Sequence, residues 1–80
     1  MTRDEIMEGL TECVRTVFDE YEGPVGPELN AEQVSQWDSL ANVQLFVMVE
    51  QVLGVRFTTE EFSGLKNLGE LADLVAAKQA

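Results

Sequence analysis

Apolar residues return at helical spacing in three stretches of the chain. In the first, Ile6, Leu10, Cys13, Val14, Val17, Phe18 and Tyr21 fall on one side of a helix, and Asp4, Glu5, Glu8, Glu12, Asp19 and Glu20 lie mostly off it. Thr2 and Glu5 have the spacing of a capping box, so a helix is predicted over residues 2–21. Gly23-Pro24-Val25-Gly26-Pro27 ends it, because prolines and glycines this close together cannot continue a helix. In the second stretch, Leu40, Val43 and Val47, with Phe46 and Leu53 on neighbouring rows, predict a helix over 39–53 that Gly54 stops. Val47 stands at the centre of its apolar run and is expected in the core. In the third, Leu68, Leu71, Leu74 and Val75 give the inward stripe of a helix over 67–78, started by the pair Asn67 and Glu70.

Two connections differ in kind. Residues 22–37 form a long loop in which Leu29, Val34 and Trp37 supply packing side chains, and Asn30 with Gln33 allows a single helical turn. Between the second and last helices, Val55 and Phe57 alternate with Arg56, so two side chains turn inward and one to water. Thr58 and Glu61 then cap a short helix over 58–63 that Gly64 closes. The expected fold is all-α: a small four-helix bundle of three main helices and one short one, with the long loop between helices 1 and 2, forming one domain over residues 1–80. The long connection frees the second helix from a strict up-and-down arrangement.

The junction at Gln36-Trp37-Asp38-Ser39-Leu40 carries the candidate chemistry. Either Asp38 or Ser39 can cap the second helix by accepting a hydrogen bond from a first-turn N–H. A hydroxyl here is exposed, and a phosphate esterified to it would lie against free N–H groups at the positive end of the helix dipole. The position suits a phosphoserine or a phosphodiester.

Composition argues against a catalytic or metal-binding protein. Eighty residues with no histidine and one cysteine leave no nucleophile–base pair, no cysteine-based zinc site and no internal disulfide. Cys13 falls on the apolar stripe of the first helix and is expected to pack. Nothing in the spacing of the carboxylates selects a catalytic pair, and no EF-hand or Gly-rich phosphate loop is present. The net charge of −10 argues against nucleic acid and anionic membrane and for basic partners. Acidic residues stand where a signal peptide would have its apolar run, so a cytoplasmic location is expected; a monomer is expected as well.

An Asp-Ser-Leu tripeptide at Asp38, Ser39 and Leu40, opening an apolar helix near the middle of a short acidic chain, resembles the acyl carrier proteins, and the order of helices extends that resemblance over nearly the whole chain. The resemblance implies that Ser39 carries 4'-phosphopantetheine, transferred from coenzyme A by a phosphopantetheinyl transferase. It implies a non-catalytic carrier that holds acyl intermediates as thioesters for fatty-acid, polyketide or related lipid metabolism. Partner enzymes with basic docking surfaces would meet the helix after the motif, at Val43, Gln44 and Glu50, with Glu60 and Glu61 on the short helix. Carriers of primary fatty-acid synthesis have several acids along that helix, whereas Asn42, Gln44 and Gln51 stand at its polar positions here. That departure implies a specialised carrier with its own partners, in polyketide, nonribosomal or modified-lipid biosynthesis. A peptidyl carrier shares the bundle and serine, but Trp37-Asp38 departs from its Gly-rich motif. An unmodified helical interaction module fits the composition equally well.

Overall fold

The computed structural model describes residues 2–79. Four helices follow in order, α1 (Arg3–Val17), α2 (Ser39–Leu53), α3 (Thr59–Ser63) and α4 (Leu68–Gln79), with no strand among the described residues. The helix starts obey the capping pattern. Thr2 and Glu5 exchange both bonds of a capping box, as do Thr58 and Glu61. Before α4 the device is stretched: Asn67 accepts from the Glu70 N–H, while the Glu70 carboxylate reaches back to the N–H of Lys66. α2 ends at Gly54, whose φ of 69° is the left-handed conformation that glycine adopts without steric cost.

α1 is shorter than its apolar stripe predicts, ending at Val17 where the pattern runs to Tyr21. Past Val17 the backbone finds better partners outside the helix. Glu20 donates its N–H to Gln36, and the Arg15 guanidinium holds the carbonyls of Tyr21 and Gly23. The turn so made drives Phe18 fully into the core against Trp37, with ring centroids 5.1 Å apart.

The core joins Ile6, Leu10, Cys13, Val14 and Phe18 of the first segment to Leu45, Phe46, Val49 and Leu53 of α2 and Leu68, Leu71, Ala72 and Val75 of α4. Leu29 and Val34 of the long loop are buried with them, and Val55 and Phe57 of the second link pack inward while Arg56 is exposed. Residues 31–33 form a turn, not a helix, held by reciprocal bonds between Asn30 and Gln33. The loop also caps α4: Leu29 and Pro27 accept from the N–H groups of Leu68 and Gly69. A Cβ at Gly69 would stand 3.0 Å from the Pro27 carbonyl oxygen, so a larger residue would push the loop backbone back by a few tenths of an ångström.

The buried face of α2 differs from the expected one. Leu40, Val43 and Val47 are 69%, 43% and 46% exposed, and the core is served by Leu45, Phe46, Val49 and Leu53. The helix is apolar on two sides, so the 3.6-residue period fits either stripe. The tertiary partner decides: Leu53 settles over Gly9 of α1, and Phe46 meets Phe57 edge-on. No helix of the described residues is long and apolar enough to cross a membrane.

Candidate functional site

Asp38 is the cap of α2. Its carboxylate accepts from the Ala41 N–H at 2.8 Å and its carbonyl from the Asn42 N–H at 2.9 Å. Ser39 is therefore the first helical residue, and its exposed side chain is not required for capping. The hydroxyl stands beside first-turn N–H groups that have no carbonyl partner within the helix and carry the positive end of its dipole.

Ser39 also edges a cleft of about 350 Å³ between the start of α2, the short helix α3 and the start of α4. Its lining mixes apolar and aromatic side chains with polar ones. Phe46 and Phe62 face each other with centroids 5.2 Å apart, and Trp37 is fixed by donating its indole N–H to the Asn42 side chain at 3.0 Å. Lys66 and Asn67 are among the polar residues that line it. The spacing of apolar residues marks none of these as neighbours of Ser39. Phe62 lies on a helix too short to show a period, and Lys66 in a link. No signal in the sequence brings Trp37, Phe46 and Phe62 together around Ser39.

The other candidate residues divide. Leu40, Val43 and Gln44 are exposed on α2, and Glu60 is exposed on α3. Glu50 is half-buried and its carboxylate accepts the Phe57 N–H at 2.8 Å. Glu61 accepts the Thr58 N–H at 2.8 Å and pairs with Lys78 at 2.9 Å. The Thr58 backbone bond first, and Lys78 second, hold its carboxyl below the ordinary glutamate value. Both acids spend their charge on the fold. Cys13 is fully buried, and desolvation, with Glu12 adding to it, pushes its thiol up to about 11, so it is no nucleophile. No group of three or more metal-ligating side chains occurs among the described residues.

The family model described as "Phosphopantetheine attachment site" matches residues 8–75. The chain is 32% identical over 76 residues to an acyl carrier protein of Acidothermus cellulolyticus, covering 95% of this chain and 90% of that protein. It is 31% identical over 70 residues to the meromycolate extension acyl carrier protein of Mycolicibacterium smegmatis, covering 88% of this chain and 71% of that one. In three dimensions it resembles the solution structure of a holo acyl carrier protein from Geobacter metallireducens, with a TM-score of 0.82, 36% identity, and coverage of 92% of this chain and 85% of the other.

Proposed function

The chain belongs to the acyl carrier protein family, whose covalent cofactor is 4'-phosphopantetheine, and from that premise we propose that Ser39 is the attachment residue. The carrying observation is the division of labour at the head of α2: Asp38 does the capping and leaves the neighbouring Ser39 hydroxyl exposed and available. The residues around it fit the group. First-turn N–H groups face a phosphodiester with the favourable end of the dipole. The adjoining cleft offers apolar side chains for part of an arm or its cargo, with Lys66 among its lining. When bound, the arm supplies a terminal thiol that holds acyl groups as thioesters. The protein's own part is to present that arm on a rigid helix end and to meet a phosphopantetheinyl transferase and a succession of acyl-handling enzymes.

The chain acts as one carrier domain over residues 1–80, monomeric and cytoplasmic. It serves a specialised pathway, in polyketide, nonribosomal or modified-lipid synthesis. Support comes from α2, which has Glu50 as its only charged residue. The likeness to carriers named for meromycolate extension favours the modified-lipid branch.

Intact mass is the test. Incubated with coenzyme A, magnesium and a broad-specificity transferase, the wild-type protein gains the mass of one phosphopantetheinyl group and folded Ser39→Ala gains none. Ser35 and Ser63 are internal controls, since neither is followed by leucine and an apolar helix. Modification at either of them, or at no residue with several transferases, would leave an unmodified interaction module as the better account.

A further inference from the structure

Asn42, Lys66 and Asn67 line the cleft beside Ser39 and are alike in offering donors without acceptors. The indole N–H of Trp37 can only donate, so the Asn42 atom that meets it at 3.0 Å is the amide oxygen. Asn67 gives its own oxygen to the Glu70 N–H at 2.9 Å. Each amide therefore has its acceptor engaged, and neither N–H2 group has an acceptor among the described residues. Lys66 has only donors to offer, and its ammonium belongs to neither ion pair of the described residues. The nearby Glu70 carboxylate takes the Lys66 backbone N–H instead. Asp38, the one carboxylate of the lining, is engaged by the Ala41 N–H, and the Ser63 hydroxyl donates to the Thr59 carbonyl. The cleft thus holds an excess of donors. Aspartate would accept from Trp37 and cap α4 as well as asparagine does, in a chain already rich in acids. What the two amides add is their N–H2.

Resting on Ser39 as the attachment site, we propose that the cleft selects a short acyl group with a ketone or carboxylate oxygen beyond the thioester, met by Asn42, Lys66 and Asn67, over a plain alkyl chain. A methylene chain laid there would strip water from two amide N–H2 groups and an ammonium and return no acceptor, an uncompensated loss at each. A ketone oxygen accepts from the amides. A carboxylate adds a charge-assisted bond from Lys66, the only cation among the lining residues. The other cations have work elsewhere or lie outside the cleft: Arg3 pairs with Asp73, Lys78 with Glu61, and Arg15 holds loop carbonyls. The carbons between thioester and oxygen pass the Phe46 and Phe62 rings. At about 350 Å³ the cleft lies at the low end of small-molecule pockets, which makes the acyl group a short one.

Cargoes of equal carbon count provide the test: octanoyl, octanoyl with a keto oxygen near its end, and suberyl, which ends in a carboxylate. Each is loaded with its arm onto Ser39 from the acyl-coenzyme A by a broad-specificity phosphopantetheinyl transferase, and cleavage of the thioester by hydroxylamine is timed. On wild type the keto and suberyl groups are expected to be cleaved about fivefold more slowly than octanoyl, the scale of a single net hydrogen bond. Asn42→Asp combined with Asn67→Asp keeps the oxygens that the fold uses and removes the donors, and should bring the keto and suberyl rates to the octanoyl rate on the same protein. Lys66→Met, at an exposed position that leaves the fold untouched, should do so for suberyl. Octanoyl cleaved as slowly as the oxygenated cargoes on wild type, or rate ratios unchanged in both variants, overturns the proposal. So does a change equal for all three cargoes, since the donors would then serve the arm and not the cargo. Absence of loading from every acyl-coenzyme A overturns the attachment itself, and the cargo class with it.

Discussion

Val47 and Val49 lie two residues apart on one helix, and truncating each to alanine separates the two faces of α2. Val49 is fully buried in the core that α2 shares with α1, whereas Val47 is nearly half exposed. Removing the two terminal carbons of Val49 loses about 1.6 kcal/mol of transfer energy at ~0.8 per group. The cavity left in a close-packed core adds to that, for a gross cost of about 2–3 kcal/mol. Alanine's better helix propensity returns roughly 0.5 kcal/mol at either position. The net expectation for Val49→Ala is a loss of about 2 kcal/mol, which for a domain of this size lowers the melting temperature by roughly 10 °C. For Val47→Ala the propensity gain offsets the small burial lost, and the net change stays within about 0.5 kcal/mol. Thermal and urea unfolding followed by far-ultraviolet circular dichroism reads both. Equal losses in the two variants, or a larger loss at Val47, would refute the orientation of α2 and with it the exposed stripe beside Ser39.

Three further outcomes follow from particular contacts. Asp38→Ala removes the oxygen that holds the Ala41 N–H and should cost about 1 kcal/mol in urea unfolding, while Ser39→Ala costs a few tenths at most; the reverse order would make Ser39 the cap. Raising ionic strength from low to about 0.15 M should raise the melting temperature by screening ten surplus negative charges, and a flat response would show those charges already compensated locally. The Cys13 thiol is raised from 9.0 to about 11, so above pH 9 the unfolded chain releases a proton that the folded one keeps. Stability should then fall between about pH 9 and 11, with the slope absent in Cys13→Ala, and native Cys13 should react with a thiol reagent only as fast as the protein opens.

Helix existence and starts were legible in the sequence because they rest on local chemistry. Thr2 with Glu5 and Thr58 with Glu61 satisfy orphan N–H groups within a single turn, and Gly54 stops α2 by a conformation that needs no distant partner. What was not legible depends on residues far apart in the chain. α1 stops at Val17 because Gln36 and the loop carbonyls offer its last turn other bonds, although the apolar period runs on to Tyr21. The N-terminal N–H groups of α4 find their acceptors at Pro27 and Leu29, some forty residues away. The serine at the site could be read from its motif, but the cleft beside it could not. Trp37, Phe46, Phe62 and Lys66 come from four separate segments that only the packed bundle brings together.

The two apolar faces of α2 have a physical meaning. Periodicity identifies a stripe that avoids water, and in a helix with one partner there is one such stripe. α2 has two, Leu45-Val49-Leu53 turned to the core and Leu40-Val43-Val47 turned to solvent, so hydropathy along it cannot say which is inside. A domain of 80 residues has a small core and gains nothing in stability from a second apolar stripe left in water, where it invites association. Three exposed branched side chains in line with Ser39 therefore add nothing to the stability of the fold itself. The same sequence answers the risk of self-association with charge, since fifteen acids elsewhere on the chain keep like molecules apart while leaving this face neutral. Replacing Val47 with glutamate would put a charge on that face without touching the core. It should leave the melting temperature nearly unchanged, and a loss as large as that of Val49→Ala would show that the face is buried and not turned to solvent.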